Sequence, residues 1–192
     1  MKQIHITRSN NIVTFETVSV DNTETVFFTN DDPQAAHWPT ITSNQLGPAP
    51  SANSSQCSVP TAAGPYQYGC KIAGHENESG TINVFLQLAA GTTTLPQATV
   101  NSAIAPAQVV VGGVAPYQIS GQQFQIVDSG NNIIQQGSNS IGPGMSLTPG
   151  ENGIWASGTP TVVGTYNFTF TVNDSEARNL QQVQYSMSVV AA

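Results

Sequence analysis

Residues 66 to 84 read YQYGCKIAGHENESGTINV, and the fold turns on how this stretch is read. Tyr66, Tyr68 and Cys70 recur at period two, the side-chain repeat of a strand, so they share one face. The alternation stops at Cys70, a polar loop follows, and Ile82, Val84 and Leu86 resume it over Thr81 to Leu88. Two strands joined by one short loop thus carry a cysteine, a histidine (His75) and a carboxylate (Glu78) between them. The whole chain of 192 residues has two cysteines and three histidines, which makes this concentration informative.

Towards the amino terminus the same period continues. Glu16 to Val20 alternates, an Asp21-Asn22 turn signal follows, and Thr25 to Thr29 reads as another short strand. Asn30-Asp31-Asp32-Pro33 breaks that strand and opens a loop containing Ala36-His37-Trp38-Pro39. Leu46 to Ser55, rich in Pro, Ser, Ala and Asn, reads as loop, and Gln56 to Val59 as a short strand. Towards the carboxyl terminus, residues 89–96 (AAGTTTLP) show no periodicity and offer little to bury, so 91–96 is expected to be a linker. Strand candidates resume at Gln108 to Val111, Tyr117 to Ile119, Gln122 to Val127, Asn132 to Gln136, Thr165 to Val172 and Val183 to Val190. Gly, Pro, Asn and Asp turns separate them at the spacing of a sandwich. No stretch holds ten residues of helical period, although Asp174 to Leu180 has room for one turn. The expectation is an all-β chain of two β-sandwich domains, residues 1–90 and 97–192, on either side of the linker.

Composition narrows the partners. Charged residues make up 8% of the chain, four Lys and Arg against eleven Asp and Glu, for a net charge of −7. Without a basic patch there is nothing to neutralise phosphates, so nucleic acid and anionic membrane surfaces are not expected partners. No run approaches the roughly 18 to 20 apolar residues of a membrane span. The first residues, MKQIHITRSN, lack the apolar core of a signal peptide, so an exported protein implies a leader already removed. The low charge and β-branched, Ser/Thr/Asn-rich composition suit a periplasmic or extracellular protein.

The chemistry of the site follows from its residue types. A thiolate with two imidazoles is the ligand set that favours copper in a trigonal site with a weaker axial donor. Cys70 and His75 share one loop, and His37 sits in the loop leaving the Thr25 to Thr29 strand, at a place where strand ends of one sandwich pole meet. A second reading pairs Cys57 with Cys70 in a disulfide and leaves both histidines as ordinary loop residues. Under the metal reading Cys57 is instead a free thiol that behaves as a small hydrophobe. Glu78 reads equally as a ligand and as a solvent-facing carboxylate, His5 as a surface or strand-edge residue. Trp38 and Pro39 either pack the pole or exclude water from the metal. Nothing carries a nucleophile signature or a Walker-type phosphate loop, so no enzymatic activity is expected.

The pattern Phe28, Asn30, Asp32, His37, followed by Gly64, Tyr66, Tyr68, Cys70, His75 and Gly80-Thr81-Ile82, resembles the cupredoxins, the blue copper family of azurin and plastocyanin. The resemblance covers about residues 1 to 88. It implies a Greek-key sandwich holding one copper ion that cycles between Cu(I) and Cu(II), with His37, Cys70 and His75 as ligands. The family's axial methionine is missing, since Met1, Met145 and Met187 lie elsewhere, and the alignment of Glu78-Ser79-Gly80 puts Glu78 in its place. A carboxylate there favours Cu(II), lowers the potential and draws the geometry towards tetragonal, giving a red or green centre. The backbone carbonyl of Ala36 is a further weak donor in such sites.

The second half resembles the immunoglobulin-like, cadherin-like domains of bacterial surface and secreted proteins. Pro116-Tyr117, Gly153-Ile154, Gly158-Thr159-Pro160-Thr161 and Gly164-Thr165-Tyr166-Asn167-Phe168 carry the likeness, which ends in Asn173-Asp174-Ser175. Such modules imply a spacer or interaction role. Together the two resemblances imply an electron-transfer protein whose acidic charge suits a basic redox partner. The alternative is a copper-storing or surface-displayed adhesion protein that transfers no electrons.

Overall fold

The structure, a computed structural model, describes residues 1–41, 54–59 and 61–192. Most of the expected Leu46 to Ser55 loop lies outside these residues, and its last two, Ser54 and Ser55, belong to a strand. Every regular element among the described residues is a β-strand. The chain divides into two compact units, Met1–Gln87 and Leu88–Ala192.

The first unit contains β1 (Lys2–Ser9), β2 (Ile12–Phe15), β3 (Val18–Asp21), β4 (Thr25–Asn30), β5 (Pro39–Ile41), β6 (Ser54–Ser58), β7 (Gly64–Cys70) and β8 (Ser79–Phe85). They form two four-stranded sheets, ordered β2-β1-β4-β6 and β3-β8-β7-β5. The β1–β4 and β3–β8 pairs are parallel and the other pairs antiparallel. Alternation decides which side chains enter the core between the sheets. Ile4 and Ile6 of β1, Val26 and Phe28 of β4, and Ile82 and Val84 of β8 are all buried in one cluster. Burying a side chain of that size contributes about 1.5 to 3 kcal/mol. Tyr68 sits at the centre, fully buried, its ring 5.6 Å from Phe15 and 5.2 Å from Phe28 between centroids. Tyr66 and Cys70 pack on the same cluster, as their shared strand face requires.

The second unit contains β9 (Ala89–Ala90), β10 (Ala98–Thr99), β11 (Ile104–Val111), β12 (Gln118–Val127), β13 (Ile133–Ser138), β14 (Met145–Gly150), β15 (Gly153–Gly158), β16 (Gly164–Asn173) and β17 (Asn179–Val190). Its sheets are ordered β10-β17-β16-β12-β13 and β14-β15-β11-β9. Tyr166, Phe168, Phe170 and Val172 alternate inward along β16, and Phe168, Phe170 and Tyr185 stack within 6.4 Å of one another. The two-sandwich, all-β expectation holds.

Two local expectations need correction. Residues 91–96 are built into the second unit rather than linking to it. Gly91 and Thr92 donate their N–H groups to Val109 and Gln108, Leu95 donates to the Ser186 carbonyl at 2.8 Å, and the Leu95 side chain is buried in the core. Backbone pairing requires no side-chain period, so AAGTTT gives no sign of it, and one inserted leucine suffices to anchor the segment. Asp174 to Leu180 forms no helical turn. The buried Asp174 carboxylate instead accepts the N–H groups of Val114, Glu176 and Arg178, which winds the chain into a tight turn before β17.

Candidate metal centre

Strand register builds the site. In the β5–β7 ladder Pro39 pairs with Cys70, so the residues just before β5 reach the end of β7. The Trp38 N–H points at the Cys70 sulfur (3.3 Å), and the Lys71 N–H returns a bond to the Trp38 carbonyl at 2.9 Å. The loop between β7 and β8 is wound by three backbone bonds. His75 donates to Ile72, Glu78 to His75, and Cys70 to Glu78, each between 3.0 and 3.1 Å. His75 and Glu78 are thereby folded back over Cys70.

The result is one cluster. A ring nitrogen from each of His37 and His75, the Cys70 sulfur and a Glu78 carboxylate oxygen all lie within 4.8 Å of one another. Donors bonded to a single ion at about 2.0 to 2.3 Å occupy a space of that size. Glu78 Oε2 is 2.9 Å from Nδ1 of both histidines. For His75 the approach makes a hydrogen bond. For His37 it does not, and this fully buried ring nitrogen has no hydrogen-bond partner among the described residues. A buried polar atom without a partner costs about 1 to 3 kcal/mol, and a cation placed among these donors removes that cost. The donor set therefore fits a metal ion. Cys70 is in no disulfide, which sets aside the Cys57–Cys70 pairing. Cys57 lies on β6 in the opposite sheet, paired with Val26.

Behind the cluster stands a polar support. His37 Nε2 is 2.7 Å from Asp32 Oδ2, with both side chains inaccessible to solvent. Arg8 Nε donates to both Asp32 oxygens, at 2.9 and 3.0 Å, and its Nη2 lies 2.8 Å from Oδ2. The Arg8 hydrogen bonds hold the Asp32 carboxyl well below the usual carboxylate range. The His37 contact and the Gln34 N–H act in the same direction against the effect of burial. Phe15 meets the His37 ring edge-on at 5.6 Å and shields it from the core side. His75 keeps 22% of its side chain exposed and Glu78 18%, so the site reaches solvent through them. Lys71 Nζ lies 5.5 Å over the Trp38 ring nearby.

All four expected residues thus meet. His5 does not join them, being half-exposed on β1 and paired with Asp31. The sequence reading missed the Arg8–Asp32 support and the Trp38 N–H. The available signals were Asp32, already in the pattern before His37, and Arg8, a rare cation in a chain with only four Lys and Arg. Asp174 and Asp128 of the second unit spend their oxygens on N–H donors and lie outside the donor cluster.

Residues 96–190 match a family model described as "Putative Ig domain". That match puts an immunoglobulin-like domain at residues 96–190. Comparison with curated proteins finds no match. Among solved structures, the titin Ig tandem A164-A165 is similar at 11% identity and TM-score 0.41, covering 100% of this chain and 95% of that one. The copper nitrite reductase from Nitrosomonas europaea is similar at 11% identity and TM-score 0.33, covering 98% and 93%. Likenesses at that level carry no argument about function, and the metal reading rests on the donor cluster alone. No helix of the described residues is long and apolar enough to cross a membrane.

Proposed function

We propose that the first unit is a cupredoxin-like domain that holds one copper ion and transfers single electrons, with no enzymatic activity. The observation that carries this reading is the convergence of His37, Cys70, His75 and Glu78 around an unpartnered, buried Nδ1. A thiolate with two imidazoles selects copper over harder ions. Bound there, copper supplies a one-electron Cu(I)/Cu(II) couple. The protein supplies a site whose donors are already placed. Hydrogen-bonded loops hold Cys70, His75 and Glu78, Asp32 holds His37, and Phe15 shields the inner imidazole. Such preorganisation keeps reorganisation small when the charge changes. The anionic Glu78 favours the more highly charged ion and lowers the potential. The partly exposed His75 edge is the point of electron entry, and the acidic chain suits a basic redox partner at low ionic strength. A periplasmic or extracellular location agrees with the immunoglobulin-like domain, a type common on cell surfaces.

That same domain favours a second reading, in which copper is stored or stabilises a displayed adhesion module. Titration of the metal-free protein with Cu(II), followed by visible and EPR spectra and voltammetry, tests both. One equivalent of copper, a sulfur-to-copper charge-transfer band and a reversible one-electron wave support electron transfer. Tight binding with no reversible wave supports storage. A protein that binds no copper overturns both.

A further inference from the structure

Arg8 and Asp32 are outside the donor cluster, but Asp32 contacts its most buried member, His37, and Arg8 holds Asp32. We propose that the Arg8–Asp32 pair is a positioning device for His37. Asp32 selects the ring nitrogen that faces the metal, and the pair together sets the charge felt by that ligand. The effect on potential rests on the copper reading above, whereas the choice of ring nitrogen does not.

Geometry carries the first half. Asp32 Oδ2 lies 2.7 Å from His37 Nε2, and neither side chain has solvent access. A carboxylate clamped by a guanidinium is an acceptor only, so the shared proton belongs to Nε2. In the neutral ring that metal ligation requires, Nδ1 is then the lone-pair nitrogen, and it faces Glu78 and the cluster with no hydrogen bond of its own among the described residues. Nothing is loose behind the contact. Asp32 Oδ1 also accepts the Gln34 N–H at 2.9 Å, and the Asp32 N–H donates to Asn30 Oδ1 at 3.0 Å. Asn30 Nδ2 in turn holds the Ala35 carbonyl at 2.9 Å, which ties the whole His37 loop to the same turn.

Charge carries the second half. An outer-shell carboxylate makes a ligating imidazole more electron-rich, which favours the higher oxidation state. Arg8 opposes this, because its guanidinium contacts the same oxygen at 2.8 Å. Removing Arg8 alone and removing the pair therefore act on the potential with opposite signs. A scaffold that merely held the loop in place would move it the same way in both.

Three variants test this: Arg8→Leu, Arg8→Lys and the double Arg8→Leu/Asp32→Leu. Exchanging both members of a buried pair for apolar residues is often neutral for stability, so the double variant keeps the test usable. In the metal-free, nitrogen-15-labelled protein, His37 is one of only three histidines. Its Nε2 proton gives an exchange-protected downfield signal in the wild type, Arg8→Leu and Arg8→Lys, and loses it in the double variant. With copper bound, Arg8→Leu lowers the midpoint potential, the double variant raises it, and Arg8→Lys stays nearest the wild type. Persistence of the protected signal in the double variant overturns the positioning role. Potentials that shift with one sign, or not at all, overturn the charge role. If no form binds copper, the function proposed above fails and the nitrogen signal still decides whether Asp32 orients His37.

Discussion

The backbone N–H of Trp38 is directed at the Cys70 sulfur from 3.3 Å, because Pro39, the next residue, pairs with Cys70 across the β5–β7 ladder. The sulfur is thus oriented by a three-residue strand and not only by its own loop. Cys70→Ser tests what the thiolate supplies. Even outer-shell losses weaken metal binding about 10- to 100-fold, so loss of this ligand should weaken copper binding by at least that much. The visible charge-transfer band should vanish while the far-ultraviolet CD of the two sandwiches stays unchanged. A variant that keeps the band would place the chromophore elsewhere.

Under the copper reading proposed above, Glu78 sets the redox character of the site. Its Oε2 is shared at 2.9 Å between His37 and His75, a position that bears on both imidazoles at once. Glu78→Met replaces an anionic oxygen by a soft neutral sulfur, which favours Cu(I). Voltammetry should show a higher midpoint potential, and the spectrum should move from red or green towards blue. An unchanged spectrum would mean that Glu78 is not a ligand.

The parts of this molecule that were legible in sequence are those where each residue's fate depends on its own strand. Tyr66, Tyr68 and Cys70, or Ile82 and Val84, announce their faces by period two alone. His37 and Cys70 were legible as a pair through ligand chemistry, although the contact depends on β5, whose Pro39-Thr40-Ile41 is too short to show a pattern. The Arg8–Asp32 pair spans 24 positions, and a lone polar contact leaves no periodic trace. Leu95 was hidden for a related reason, since one anchoring side chain in a polar run looks like linker composition. Non-local polar geometry is what the sequence conceals.

Packing around Tyr68 supplies a stability test that does not involve metal. Gly80 pairs with Tyr68 across the β7–β8 ladder, and an added Cβ would lie 2.7 Å from three atoms of the phenol. The ring cannot swing aside, because its hydroxyl donates to the Glu16 carbonyl and it is enclosed by Phe15 and Phe28. Gly80→Ala should therefore cost about 1 to 3 kcal/mol, the usual penalty for overpacking. Chemical denaturation followed by Trp38 fluorescence, with Trp155→Phe as the background, reads the first unit. An unchanged midpoint would mean that the β7–β8 ladder yields locally.

Alkaline pH should act on the second unit through Tyr185. Its hydroxyl donates to the Val109 carbonyl at 2.8 Å, and burial pushes its pKa up to about 12. An unfolded tyrosine ionises near 10. Below that value both states keep the proton and the contribution to stability is complete. Between about 10 and 12 the unfolded chain releases the proton and the folded one retains it, so stability falls as pH rises. Above the folded value the contribution is gone. Tyr185→Phe should flatten this decline, at a cost of about 1 kcal/mol near neutrality for the lost hydrogen bond to the Val109 carbonyl, which keeps the Gly91 N–H. Some slope should persist, because burial also raises Tyr117 and Tyr166. Melting temperatures of both forms across the alkaline range give the comparison. Equal slopes would mean that Tyr185 ionises inside the folded sandwich, which requires water to reach the Phe168–Tyr185 stack.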